Sequence, residues 1–301
     1  MAISAGEADR DGDDAPLPAP IPPLRRTLTT LRRNPMLAVG LLLVALIVAA
    51  ALLAPLLAPF PGDAGSVVRF QARLRPPSQQ YWFGTDAVGR DVLSRILMGA
   101  RTSLVVAFSV IALSAVIGVP LGLFAGFLGG IPGAAIMRVN DVFLAIPSLV
   151  FVLVASAFMT PSTITTVAAI SLAWWTWYAR LAFGEVVSLR HRQFVDAARV
   201  AGASRWRIAV GEILPNLTSV LIVKITVDLG YVILLGASLG FLGLGVQPPE
   251  PEWGLMIGQG REQLPRAWWL VTFPGLAIVV TVAAFNLLGD GLADLLGQRN
   301  D

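Results

Sequence analysis

Two groups of residues in this 301-residue chain place charge where it is costly or concentrated. Lys224 and Asp228 lie four residues apart within a long apolar run, on one face of a helix. Ionisable groups in such a setting are expensive, and they mark a path or a relay by default. One role has the pair lining a translocation path. The other has Lys224 snorkelling to an interface with Asp228 as its neutralising partner. The second group is the stretch 185–216, EVVSLRHRQFVDAARVAGASRWRIAVGEILPN, with Arg190, Arg192, Arg199, Arg205 and Arg207 against Glu185, Asp196 and Glu212. Phe194, Val195, Ala198 and Ala201 fall near one helical face there. Gly202 offers a stop, Ser204 can cap a second short helix starting at Arg205, and that helix is expected to end at Pro215. Such a segment is built to hold something rather than to break bonds.

Bond-breaking chemistry has little to draw on elsewhere. The chain has no cysteine and a single histidine, His191, which removes thiol catalysis, disulfides and clustered metal ligation. Its only lysine, Lys224, follows Val223 and not the glycine of a phosphate-binding G-x-x-x-x-G-K-[ST] loop. Uphill movement of a solute by ATP would therefore need another polypeptide to hydrolyse the nucleotide. H-E-x-x-H does not occur, and the G-x-S-x-G match at Gly236 to Gly240 falls inside a long apolar run and not on a strand-to-helix elbow, so the chain reads as a non-enzyme with no cofactor of its own.

The positioning elements follow from composition. Hydrophobic residues make up 55% and charged residues 14%, with mean hydropathy +0.73. Soluble domains carry about 25% charged residues, so this is an all-α integral membrane protein. The net charge of +3 reflects membrane topology and not nucleic-acid binding, because no basic stripe interleaved with aromatics stands outside the apolar segments. Residues 1–34 form a disordered tail ending in Arg25, Arg26, Arg32 and Arg33, which place the N-terminus in the cytosol. A first span covers 35–60, and a polar segment over 61–101 is extracytoplasmic. A core over 102–295 holds five further spans, near 103–127, 139–159, 163–183, 217–244 and 269–288. The tail 296–301 is cytosolic, so six spans put both termini and the 185–216 loop on the same side.

Details within the spans carry expectations of their own. Gly118, Gly122 and Gly126 form a small-xxx-small face suited to close helix approach. Pro147 interrupts the third span, and Asn140 and Asp141 fall near its cytosolic interface. Trp174, Trp175, Trp177 and Tyr178, beside Arg180, read as an interfacial aromatic belt.

The motif DAARVAG, Asp196 to Gly202, followed after nine residues by EILP, Glu212 to Pro215, resembles the EAA loop of bacterial ABC-transporter permease subunits. Asp196 stands where that motif has Glu, and Glu212 where it has Ile, with Ile213 displaced by one. FGTDAVGRDVLSRILMGARTSL from Phe83, DVFLAIPSLV from Asp141 and FLGLGVQPPEPEWGLMI from Phe241 are similar to the dipeptide/oligopeptide/nickel importer permeases of the "C" type, over roughly residues 30–295. The resemblance implies a type I ABC importer permease fold of six transmembrane helices in a bacterial inner membrane, with a cytosolic coupling helix between spans 4 and 5. It also implies a homologous "B"-type permease, one or two cytosolic ATPases holding ATP and Mg, and an extracytoplasmic peptide-binding protein as partners, besides membrane lipid. On the same basis Asp196, Ala197, Ala198 and Gly202 would enter a groove on the ATPase, with Ser204, Arg205 and Trp206 starting and anchoring the second helix. The competing reading is an ion- or proton-coupled secondary carrier that uses Lys224 and Asp228 as its relay and needs no partner. Six spans without a detectable internal repeat are few for such a carrier.

Overall fold

A computed structural model describes residues 34–297. The tail expectations for 1–33 and 298–301 lie outside the described residues. Helix α1 is Pro35–Leu52, followed after Leu53 by a short helix, α2, Ala54–Leu57. The first span is thus broken earlier than the expected residue 60. Pro55 cannot donate to an α-turn begun before it, so the chain starts a new helix there.

Helix α3, Val92–Leu128, begins well before the expected Ser103. Asp91 explains the difference, since its carboxylate accepts the Ser94 N–H at 2.7 Å and satisfies one of the donors that a helix start leaves open. At its other end Gly129 and Gly130, with φ of 62° and 53°, make a turn that side-chain-bearing residues resist. Helices α4, Gly130–Leu144, and α5, Ser148–Ala157, meet at an angle of 82° around Pro147. The third span is therefore a broken pair and not one rod, because proline disfavours the α conformation of Ile146 and withholds its own N–H.

Helix α6, Thr163–Leu189, leads to the polar loop, where α7 covers Gln193–Val200. The next helix, α8, runs without interruption over Arg205–Phe241, with a π-helical turn at Ile208–Ile213. Pro215 was expected to close a separate short helix. It instead follows the π turn, whose wider winding precedes the point where an α-turn would press the proline ring on a carbonyl. Helices α9, Trp253–Gly260, and α10, Trp269–Gly297, complete the order.

Among the described residues, four helices (α1, α3, α8 and α10) are long and apolar enough to cross a membrane, and the bent α4–α5 pair makes up to five. Helix α6 is long enough, at 27 residues, but its three tryptophans, threonines, Arg180 and Glu185 lower its hydropathy. The architecture is compatible with six passes.

The frame is the α3–α6 pair. A Cβ on Gly118 or Gly122 would run into the backbone of α6 at Trp175 and Ala179, and one on Gly126 would come within 2.9 Å of Val186. The small-residue face is a helix–helix contact, as its spacing indicated. Helix α10 crosses α1 similarly closely, since a Cβ on Gly291 would lie 2.6 Å from Leu37 Cα. The main core joins Val110, Tyr178, Val232 and Phe285 from α3, α6, α8 and α10.

The segment 61–91 folds over one end of this bundle. Buried Asp63 accepts from Arg69 Nη1 at 2.6 Å and from the Asp91 N–H at 2.7 Å. Arg90 Nε donates to Asp86 at 2.7 Å, and Trp269 Nε1 reaches the Thr85 carbonyl at 3.1 Å. Arg69 and Arg90 of this segment are thus bound locally.

Candidate functional site

Two places collect the residues singled out by charge, and they sit on different levels of the bundle. The loop between α6 and α8 has one face tied to the bundle. Val195, Ile208, Ala209, Ile213 and Leu217 are buried against Leu123 of α3 and Val186 of α6, with Phe194 and Ala198 packed at the edge. Arg190 fastens the same end, its Nη1 donating to the Gly126 carbonyl at 2.9 Å. Ile213 is fully buried while Glu212 is exposed, so the isoleucine displaced by one position still supplies the apolar contact.

The other face is open. Asp196, Ala197, Ala201, Gly202, Ser204, Arg205 and Trp206 are exposed, and Val200 is 90% exposed. Ala201, expected on the apolar side with Phe194, Val195 and Ala198, points outward at the end of α7. Gly202 has φ 79°, and a Cβ placed there would meet nothing within 4 Å. Its left-handed backbone turns the chain between the helices and leaves space above it. Ser204 Oγ accepts the Arg207 N–H at 3.3 Å, which caps α8 as expected. Trp206 stacks on Phe124 of α3 at 5.7 Å between ring centroids. Asp196 pairs with Arg199 at 2.8 Å, and Arg199 Nη2 donates to the Arg190 carbonyl at 3.2 Å. A rigid, short-helical platform results, with small residues and one uncovered valine on its free side.

Deeper in the bundle, Lys224 Nζ donates to Asp228 Oδ1 at 2.8 Å. Asp228 is 1% exposed, and its second oxygen accepts from Trp174 Nε1 at 3.0 Å. The Lys224 ammonium lies 5.5 Å from the centre of the Trp177 ring, a cation–π distance. The pair is therefore satisfied on both carboxylate oxygens. The expected aromatic belt is corrected here: Trp174, Trp175 and Tyr178 are buried between helices, and only Trp177 is exposed. Trp174 hydrogen-bonds the one buried acid of α8, which is why this aromatic faces inward. Asn140 is also buried, whereas Asp141 is exposed and paired with Arg180, so only Asp141 keeps the interfacial character expected of both.

The sequence alone did not single out the contact of Trp174 with Asp228, the exposure of Val200 or the stacking of Phe124 on Trp206. The tryptophan was visible as a hydrogen-bond donor in a run otherwise short of polar groups, and that is the signal that links it to Asp228. Val200 carried no signal, because α7 has apolar residues on both sides and only the tertiary contacts choose between them.

The family model described as "binding-protein-dependent transport system inner membrane component" matches residues 118–301, and a model for the N-terminal transmembrane domain of oligopeptide transport permease C matches residues 22–77. The chain belongs to this family of binding-protein-dependent transport permeases. It is similar to the probable D,D-dipeptide transport system permease protein DdpC of Escherichia coli, with 41% identity over 269 residues and 89% of each chain covered. It is also similar to the di/tripeptide transport system permease protein DppC of Pseudomonas aeruginosa, with 44% identity over 266 residues, 86% of this chain and 87% of that one. Among solved structures, the MetNI methionine ABC transporter in an inward-facing conformation shares the fold, with TM-score 0.56 and 17% identity over 67% of this chain and 96% of that one. The type I ABC importer permease fold is thereby shown, and this is a transport subunit and not an enzyme. Membership of this family gives no support to a partner-free secondary carrier.

Proposed function

We propose that this chain forms half of the translocation path for short peptides in an ATP-driven importer. A homologous permease supplies the other half, and one or two cytosolic ATPases bind ATP and Mg and drive it. An extracytoplasmic peptide-binding protein delivers the substrate. Both termini lie in the cytosol in this reading, 61–101 lies outside, and lipid surrounds the spans. The peptide substrate is supported by the names of relatives that share most of their length with this chain.

The observation that carries the mechanism is the two-faced loop. One side is locked to α3, α6 and α8 by buried apolar residues, and the other presents Asp196, Ala197, Gly202, Ser204, Arg205 and Trp206 to a partner. Ala198 lies at the edge between the two sides and contributes to both. A push on Arg205 or Trp206 passes directly into α8, which is continuous from Arg205 to Phe241, and a push on α7 reaches it through the Gly202 turn and the buried contacts of Val195. Switching the permease from 1:99 to 99:1 between two arrangements takes about 5.5 kcal/mol of differential binding, which nucleotide binding by the ATPases supplies. Lys224 and Asp228 are held within α8 by their own ion pair and by Trp174, and lining the translocation path is their candidate role.

The experiment is affinity purification of the tagged chain from its native membrane in mild detergent. Recovery of a second permease and an ATPase with wild type, and loss of the ATPase alone with Gly202→Trp, is the expected result. Recovery of the chain alone, under conditions that keep a control importer whole, overturns the proposal.

A further inference from the structure

Between α1 and α3 a groove of 330 Å³ opens on the outside of the bundle, with Leu52, Arg101, Val105 and Phe108 among its walls. These four residues are exposed, and Arg101 is the one charged residue of the lining. The Phe60 N–H donates to Ser94 Oγ at 2.9 Å, so the chain just beyond α1 and α2 meets the first turn of α3 and the two long helices run antiparallel. Arg101 therefore closes the groove at the end where α1 finishes, and residues 103–127, which follow it into the bundle, carry no charge. The 18 residues of α1 rise about 27 Å when untilted, close to the roughly 30 Å of a hydrocarbon core. That puts Arg101 at the headgroup level of one leaflet, with the apolar part of the groove directed toward the middle of the membrane. No acidic residue occurs in α1, α2 or α3, and Arg101 makes no ion pair among the described residues. Lys224 shows the contrasting arrangement, a cation between helices with its own acid one turn away. Helices of this chain approach one another through small residues, as at Gly118 and Gly122. In the groove only Ala51 and Ser109 are small, and the exposed rim is bulky and apolar, which suits an acyl chain better than a second helix.

We propose that this groove is a binding site for one anionic glycerophospholipid, whose acyl chain lies against Leu52, Val105 and Phe108 and whose phosphate meets the Arg101 guanidinium. The planar guanidinium matches two phosphate oxygens at once, and at the interface its charge is otherwise balanced only by solvent. A zwitterionic lipid carries the same phosphate, but its own ammonium already neutralises it, so the anionic headgroup gains more from Arg101. One arginine beside an anionic lipid contributes about five-fold in affinity. The lipid bridges α1 and α3, and the site is independent of what the importer carries.

Because the chain has no cysteine, a single reporter can be placed in it by substitution. Leu52→Cys carrying a bimane label, purified with whatever subunits accompany the chain, is reconstituted in phosphatidylcholine bilayers. Increasing fractions of phosphatidylglycerol or of phosphatidylcholine, each brominated on its acyl chains, then quench the label. The same complex with the cysteine-free chain is labelled in parallel, to subtract any label on the other subunits. Brominated phosphatidylglycerol is expected to reach half-quenching at a fraction about five-fold lower than brominated phosphatidylcholine. Arg101→Gln is expected to bring the two curves together, and Arg101→Lys, which keeps the charge, to hold them apart. A label at Val116, exposed on α3 about four turns away, is expected to show no preference. Equal quenching by the two lipids at Leu52 overturns the proposal, and so does an equal preference at Val116, which would mean a general attraction of the bilayer. A preference that survives Arg101→Gln overturns it too, since the headgroup would then be held elsewhere, as at exposed Arg73 or Arg75. If neither lipid quenches the Leu52 label while both quench the one at Val116, a helix of another subunit fills the groove and the lipid site is refuted.

Discussion

Single side chains decide the behaviour of both charged regions. Val200 is exposed on the free face of α7, so Val200→Asp should leave folding stability within about 0.5 kcal/mol, as is usual for surface positions away from special features. The same change should greatly reduce recovery of the ATPase. Thermal unfolding of the isolated chain and quantitative co-purification read the two effects, and a variant that retains full ATPase binding would remove Val200 from the interface. Trp174→Phe keeps the ring but takes away the donor to Asp228. A hydrogen bond to a charged group contributes about 1.5–3 kcal/mol, so this variant should unfold at distinctly lower temperature than wild type. Asp228→Asn keeps an acceptor for Trp174 and removes the ion pair with Lys224. If that pair is structural, transport persists with a lowered melting temperature; loss of transport with ATPase coupling intact would assign it to the path.

At the scale of elements, close packing and helix starts dominate. Gly122→Ala places a methyl against the Ala179 carbonyl, where α3 and α6 leave no room. Overpacking of this kind costs about 1–3 kcal/mol, and reduced yield and a lower melting temperature should follow, whereas Gly184→Ala, with open space around it, should be neutral or better. Glu252 starts α9 by accepting the Gly254 N–H at 2.9 Å and the Leu255 N–H at 2.8 Å, and it is buried. Burial raises its carboxyl pKa above the ordinary value, against the lowering effect of those donors and of Ser103. The folded chain thus holds this proton to higher pH than the unfolded chain does. That contribution to stability is fully present below the unfolded pKa and is lost as pH rises through the folded one. Melting temperature followed against pH should show Glu252→Gln gaining on wild type as pH rises through that window; parallel curves would mean that the group titrates alike in both states.

For the whole molecule, the proposed function depends on linking a platform at one end of the bundle to changes at the other. Helix α8 is the direct connection, and its π turn at Ile208–Ile213 is the one non-α segment between platform and membrane. Widened turns of this kind recur at functional sites. In the assembled importer, ATP-stimulated peptide uptake should depend on both faces of the loop, and the buried and exposed faces should fail differently. Ile213→Ala opens a cavity in the cluster beneath the platform and should cost about 2–5 kcal/mol of stability. Val200→Asp should spare stability and uncouple ATP hydrolysis from uptake.

Much of this protein was determined by its sequence alone. A 55% hydrophobic chain with 14% charged residues has to lie in a membrane, because its apolar runs have no other way to leave water. The glycines at four-residue spacing specified a close helix contact, and Gly202 and Ser204 specified the turn and cap of the loop, since both are effects of local backbone and neighbouring donors. Lys224 and Asp228 were legible as a pair for the same local reason. Tertiary structure alone decided what lies across from each of these features. The inward direction of Trp174, the outward direction of Val200 and the burial of Arg95 all depend on which helices become neighbours. In a chain where nearly every face is apolar, helical periodicity cannot separate the side that meets lipid from the side that meets protein, and packing makes that choice.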